Sequence, residues 1–257
     1  MVKAIFFDVD GTLLSHTKNE VAISTRASLD QLREKNIKCV VATGRHMVEL
    51  AALPVKDITF DGYITLNGQL CLDNSRTIIY GNPITGMEKD CILRLFHEKK
   101  IPIMLAESNK IYLNFVNQYV ETAQKAISSE IPDLGKYTGN EIYLAVAYVE
   151  REQEDVLVEQ LPNCKITRWN DYAVDIISCY DGKTTGINQY LSENKINKHE
   201  TMAFGDGEND MEMLEFVEIG VAMGNSRDHI KAIADYVTAS VDDDGIEKAL
   251  KHYGILQ

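Results

Sequence analysis

The chain has 257 residues, 45% of them hydrophobic, with 26 Lys and Arg against 39 Asp and Glu, a net charge of −13. This is the balance of a soluble globular chain, and its negative sign opposes a nucleic-acid backbone, which is gripped by clustered Lys and Arg. No apolar run approaches the ~20 residues that span a bilayer.

The first apolar run, Ala4-Ile5-Phe6-Phe7, meets Asp8 before a signal-peptide core of about 7–15 apolar residues can form. The five cysteines are odd in number, scattered and without a CxxC pair, which fits reduced thiols and a cytoplasmic location. That first run lacks polar alternation and reads as a strand buried on both faces. Asp8-Val9-Asp10-Gly11-Thr12 follows it. Two carboxylates two positions apart, where a buried strand meets a glycine turn, suit a hard cation such as Mg²⁺. One carboxylate can also attack phosphorus while the other serves as acid and base. An isolated DxDG reads about equally well as a solvated turn, and Gly11 comes two positions too early for a calcium loop.

Ser24 is placed to cap a helix carrying Ala27, Leu29 and Leu32 that ends near Asn36. The second run, Cys39–Ala42, stops at Thr43-Gly44-Arg45, whose hydroxyl and backbone N–H suit phosphate oxygens, although Thr-Gly is also a common turn. Gln69–Leu72 and Thr77–Tyr80 flank Asp73-Asn74-Ser75 as a hairpin. From 83 to 182 the pattern gives helix 85–99, strands 101–106 and 110–115, helix 117–130, strand 141–149, helix 151–160, and strands 164–168 and 172–178. Strands adjacent in sequence predict an antiparallel sheet with helices on one face, an inserted α+β domain.

Lys183, in Asp181-Gly182-Lys183-Thr184-Thr185, opens the next helix. A lysine there can neutralise a substrate phosphate and keep a nucleophile ionised, an ordinary surface lysine being the plainer reading. A P-loop would need glycine where Ile177 stands. Met202-Ala203-Phe204 leads into Gly205-Asp206-Gly207-Glu208-Asn209-Asp210. Asp206 would complete a metal site begun by Asp8, and the helix start favours an anion, the alternative being an acidic helix cap. A helix over 210–216 with Met211, Leu214 and Val217 inward precedes the last run, Val221-Ala222-Met223, which ends at Gly224-Asn225.

The runs and helices alternate as βαβ units, so the fold class is α/β: a Rossmann-like doubly wound parallel sheet core, residues 1–82 and 183–257, with an inserted α+β cap at 83–182. In such sheets ligands bind beyond the carboxyl ends of the strands, where the polar run-ends converge. The six histidines show no ligand spacing, the aromatics of 112–119 and 137–148 and Trp169 read as core or cap lining, and Asp242-Asp243-Asp244 reads as a solvated loop.

Taken in order, Asp8-Val9-Asp10-Gly11-Thr12, Thr43-Gly44-Arg45, Lys183 and Gly205–Asp210 resemble the four motifs of the haloacid dehalogenase superfamily of phosphohydrolases. The insert preceded by Asn67-Gly68, and the tail Val221–Asn225, Ala234–Thr238 and Asp244-Gly245, resemble its Cof-type branch with a C2 (C2B-like) cap. The resemblance implies a Mg²⁺-dependent phosphatase of small phosphorylated metabolites, sugar phosphates foremost. Asp8 would be the nucleophile that becomes an aspartyl phosphate, and Asp10 the general acid and then base. Asp8, the backbone carbonyl of Asp10 and Asp206 would hold Mg²⁺ with Asp210 in support. Thr43, Gly44, Lys183 and Asn209 would hold the phosphoryl oxygens.

The third motif departs from the branch, which has glycine directly after the lysine where this chain has Thr184. A dehalogenase would not need Asp10 or Asp206, a mutase would retain the phosphate, and a non-catalytic sensor has no reason to keep all four groups. Arg45, Asn67, Asn114, Asn140, Tyr143 and Asp175 are candidate liners of the substrate pocket. Neither the metabolite nor the oligomeric state is marked by a motif.

Overall fold

A computed structural model describes residues 1–127, 129–179 and 182–257 of the chain. Asp181 ahead of Gly182, and Ser128 within the expected helix 117–130, lie outside the described residues. The strands in chain order are β1 (Ala4–Phe7), β2 (Lys38–Ala42), β3 (Gly62–Thr65), β4 (Leu70–Asp73), β5 (Ile78–Gly81), β6 (Ile103–Ala106), β7 (Ile111–Leu113), β8 (Leu144–Ala147), β9 (Cys164–Asn170), β10 (Ala173–Ser178), β11 (Thr201–Gly205), β12 (Ile219–Ala222) and β13 (Tyr236–Val237). The α-helices are α1 (Ile23–Glu34), α2 (Met47–Leu50), α3 (Gly86–Glu98), α4 (Gln118–Ala126), α5 (Glu154–Gln160), α6 (Lys183–Asn194), α7 (Met211–Phe216), α8 (Asp228–Lys231) and α9 (Gly245–His252). They fall into two compact units: Met1–Arg45, Leu50–Tyr80 and Gly182–Gln257 form one, His46–Glu49 and Gly81–Asp181 the other.

The first unit is built on an eight-stranded sheet in the order β13-β12-β11-β1-β2-β3-β4-β5. Its pairs are parallel from β13 through β3, and β4 turns back antiparallel to β3. Every residue of β1 is buried, because both faces of the sheet are covered. On one face Phe6, Val40, Ile64 and Ala203 pack against Tyr190 and Ile187 of α6 and Met213 and Leu214 of α7. On the other, Phe7 stacks on Phe204 at 5.4 Å, and Leu29 and Leu32 of α1 and Ile246 and Leu250 of α9 are wholly buried. Register pairs Phe7 with both Val41 and Phe204, so Asp8, the start of Thr43-Gly44 and the end of β11 reach the same carboxyl edge.

One local expectation needs correcting. Ser24 caps nothing: α1 starts at Ile23 after Ala22, and the Ser24 hydroxyl instead donates to Asp244 Oδ1 at 2.5 Å. Leu214 and Val217 lie in the core and Met211 packs partly buried against it, as expected, and Met213 of α7 joins them.

The second unit holds an antiparallel sheet ordered β7-β6-β8-β10-β9. Ile92 and Phe96 of α3 and Leu157 of α5 pack with Leu105, Ala145, Ala147 and Ile176 in one apolar cluster. Helix α4 departs from the expected single helical face. Its Gln124 donates to the hydroxyl of Tyr148, whose neighbours Ala147 and Val149 face that cluster, so by strand alternation α4 lies on the other side. Among the described residues no helix is long and apolar enough to cross a membrane.

Candidate active site

The site is built on the carboxyl edge of the first unit's sheet. Asp8 follows β1, its N–H donating to Phe204 O at 3.0 Å, and is 5% exposed. Lys183 is the first residue of α6 and is also buried; its Nζ donates to Asp8 Oδ1 at 2.6 Å and to Asp210 Oδ1 at 2.5 Å. Burial alone would pull this lysine down, but the Asp210 and Asp8 carboxylates outweigh it and hold the ammonium charged. Asp8 is pushed well above the usual carboxylate range, first by burial and then by Asp210, with Lys183 opposing both. Thr184, the departure in the third motif, sits half-buried in the first turn and leaves the helix start intact.

Asp210 spends both oxygens inside the protein: Oδ1 on Lys183, Oδ2 accepting the N–H groups of Asp206 and Gly207 at 2.9 Å each. It thereby fixes the loop that carries Asp206. The Asp206 carboxylate takes the Thr12 hydroxyl on Oδ1 at 3.2 Å and the Asn225 amide on Oδ2 at 3.0 Å. Burial, then Asp210, pushes Asp206 up to about 7, although the Thr12 hydroxyl and Lys183 act the other way. Gly11 makes this approach possible: its φ is +80°, and a Cβ there would lie 2.3 Å from Asp206 Oδ2.

Ligand oxygens of Asp8, Asp206 and Asp210 lie within 4.8 Å of one another. With one ammonium among three carboxylates, and two of those carboxylates driven toward the protonated form, the donor set fits a hard divalent cation, which would relieve the remaining negative charge.

Arg45 and Asp10 stand beside this cluster, joined by Nε to Oδ2 at 2.6 Å and Nη2 to Oδ1 at 2.7 Å. Thr43 follows β2; its hydroxyl oxygen accepts the Arg45 N–H at 3.1 Å and keeps its own proton to donate. Asn67 supports Gly44 and Asn209 together: its amide lies against Gly44, its N–H donates to Thr43 O at 3.0 Å, and its Oδ1 accepts Asn209 Nδ2 at 3.0 Å. It can do so because Leu66, Asn67 and Gly68 turn left-handed in succession, with φ of 53°, 54° and 93°. At Gly68 a Cβ would meet the Gly182 carbonyl at 2.0 Å, so the turn lies directly on the start of α6.

The structure therefore brings Asp8, Asp10, Thr43, Gly44, Lys183, Asp206, Asn209 and Asp210 to one sheet edge. The bidentate hold of Arg45 on Asp10 and the part played by Asn225 had no signal in the sequence beyond their positions after apolar runs. Asn114 is not a pocket liner: Oδ1 accepts the N–H groups of Ile103 and Phe115, and Nδ2 donates to Phe96 O and Ile101 O. Asn140 donates to the buried Glu107 and Tyr143 to Glu141, both within the second unit. Asp242 is more than a solvated acid, since it receives the hydroxyls of Ser15 and Thr17 and ties down the loop after the first motif.

A family model described as haloacid dehalogenase-like hydrolase matches residues 5–250. The chain belongs to this family. The Bacillus subtilis (strain 168) protein YkrA is 30% identical to it over 258 residues, 99% of each chain. Among solved structures, BT1666 from Bacteroides thetaiotaomicron, a phosphatase of the haloalkanoate (HAD) enzyme superfamily, superposes with a TM-score of 0.90 at 30% identity, over 100% of this chain and 96% of its own. The HAD subclass IIB sugar phosphatase BT4131 superposes with a TM-score of 0.88 at 33% identity, over 99% and 100%. Within the haloacid dehalogenase family the chain is a phosphatase of Cof type, with a Rossmann-like core and an inserted cap.

Proposed function

We propose that this haloacid dehalogenase-like phosphatase hydrolyses small phosphate monoesters, sugar phosphates foremost, with Mg²⁺ and through an aspartyl phosphate on Asp8. The observation that supports this reading best is the buried Asp8–Lys183–Asp210 chain beside Asp206, an arrangement that costs stability unless an ion and a phosphate use it. Asp8, the backbone carbonyl of Asp10 and Asp206 would hold Mg²⁺, with Asp210 fixing their loop. When bound, the ion supplies positive charge that lets a phosphate dianion approach an aspartate.

Asp8 attacks phosphorus in line, and Asp10 gives its proton to the departing oxygen, so the P–O bond to the alcohol breaks as the P–O bond to Asp8 forms. Water then attacks the aspartyl phosphate, losing a proton to Asp10 and freeing inorganic phosphate and Asp8. The charge that spreads over the equatorial oxygens would fall to Lys183, the Thr43 hydroxyl, the Gly44 N–H and the Asn209 amide. The sugar-phosphate class rests on the likeness to BT4131. The free state of all five cysteines supports a reducing, cytoplasmic setting.

Phosphate release from p-nitrophenyl phosphate and a panel of sugar phosphates, with Mg²⁺ and with EDTA, tests the reading. Release should need Mg²⁺ and vanish in Asp8→Asn with the fold retained. Turnover by Asp8→Asn, or full activity in EDTA, would refute it.

A further inference from the structure

The loop after β12 presents Asn225 to the acidic site. Its Nδ2 gives one proton to Gly11 O at 2.9 Å and the other to Asp206 Oδ2 at 3.0 Å, while its Oδ1 accepts the Val241 N–H at 2.9 Å. Exchanging the amide's oxygen and nitrogen would set an oxygen against a carbonyl and a carboxylate and leave two N–H groups facing each other at Val241. These contacts therefore fix the orientation of the side chain. The other oxygen of Asp206 takes the hydroxyl of the buried Thr12. Thr12 lies 194 residues from Asp206 in sequence. The carboxylate is gripped at both oxygens by two other loops of the same edge, and Asn225 joins those loops to the segment that begins at Val241.

We propose that Asn225 is a positioning residue that sets the cation affinity of the site by fixing the Asp206 carboxylate. The inference rests on Asp206 being a ligand of Mg²⁺, as in the reading above. A carboxylate left to rotate between Gly11 and Thr12 must surrender that freedom when the ion arrives, whereas one already held does not. Each carboxylate oxygen has a second lone pair, so the amide orients Asp206 without using up its capacity to bind the ion. Removing partners of this kind typically costs about 10–100-fold in metal affinity. The contact with Gly11 O also keeps the first acidic loop in register with the second, so one side chain aligns groups carried by β1 and β11.

The test is titration calorimetry of Mg²⁺ into the substrate-free wild type, Asp206→Asn, Asn225→Ala and Asn225→Ser, with the melting temperature of each in EDTA. Wild type should bind, and Asp206→Asn should not. Failure of that contrast would refute the metal reading itself, separately from the role of Asn225. Both Asn225 variants should show an Mg²⁺ dissociation constant raised about tenfold or more. In p-nitrophenyl phosphate hydrolysis their Mg²⁺ activation constant should rise in parallel, with kcat recovering at saturating Mg²⁺. Asn225 is exposed, so melting in EDTA should stay near that of wild type. A lower melting temperature with unchanged Mg²⁺ affinity would overturn the proposal and make Asn225 a brace for the Val241 loop alone.

Discussion

Arg45 holds Asp10 in a two-pronged grip, Nε on one carboxylate oxygen at 2.6 Å and Nη2 on the other at 2.7 Å. The guanidinium is nearly buried at 6% exposure, so its plane fixes the plane of the carboxylate. A lysine at 45 keeps the charge and loses the fork.

Arg45→Lys should therefore lower kcat on p-nitrophenyl phosphate by about tenfold or more, a loss of about 1.4 kcal/mol in transition-state stabilisation. In an Asp10→Asn background the same replacement should cost little further, because the carboxylate it orients is gone. Additive losses in this double-mutant cycle would show that Arg45 acts independently of Asp10.

Lys183 is bonded to both Asp8 and Asp210, and its removal leaves two buried carboxylates facing each other. Lys183→Met should destabilise the metal-free protein by about 3–5 kcal/mol, as expected for breaking a buried ion pair from one side. Adding Asp210→Asn should recover part of that loss by removing a stranded charge, without restoring activity. Urea unfolding in EDTA reads both effects, and an undiminished midpoint in Lys183→Met would contradict the assignment.

His46 gives a pH dependence whose sign follows from its contacts. Nδ1 accepts the Val48 N–H at 3.0 Å, so Nε2 carries the proton and donates to Glu107 O at 2.9 Å. Burial keeps its pKa below the ordinary 6.5, with the carbonyls of Glu107 and Ser108 opposing. In the unfolded chain this imidazole takes a proton near pH 6.5, while the folded form accepts it only at lower pH. Stability is therefore full above about 6.5 and falls as acid is added below it. His46→Gln should flatten the urea midpoint between pH 7 and pH 5. An unchanged slope in that variant would assign the acid sensitivity to other groups.

Three of the four motifs, those of Asp8, Thr43 and Asp206, were legible because each sits where an apolar run meets its first polar residues, and a parallel sheet gathers such ends on one edge. The antiparallel character of the insert's sheet was legible from its strand pairs adjacent in sequence, β6 with β7 and β9 with β10, whereas the pairing of β8 with β6 and β10 was not. Pairings across the fold were not. Asn225 reaches Gly11 across 214 positions and Thr12 reaches Asp206 across 194, distances at which periodicity carries no information. Ser24 misled because a hydroxyl near a helix start has two possible employers, and here the distant Asp244 takes it. Lys183, by contrast, looked like an ordinary lysine by composition and gained its meaning only from the motifs around it.

Asp8, Asp10, Thr43, Gly44, Lys183, Asp206, Asn209, Asp210 and Asn225 all lie in Met1–Arg45, Leu50–Tyr80 or Gly182–Gln257, and none falls within the segments 46–49 and 81–181. The proposed chemistry is thus carried by one compact unit, and the other contributes none of these side chains. Substitutions among the hundred residues after Tyr80 therefore leave every residue of the proposed phosphoryl-transfer site in place.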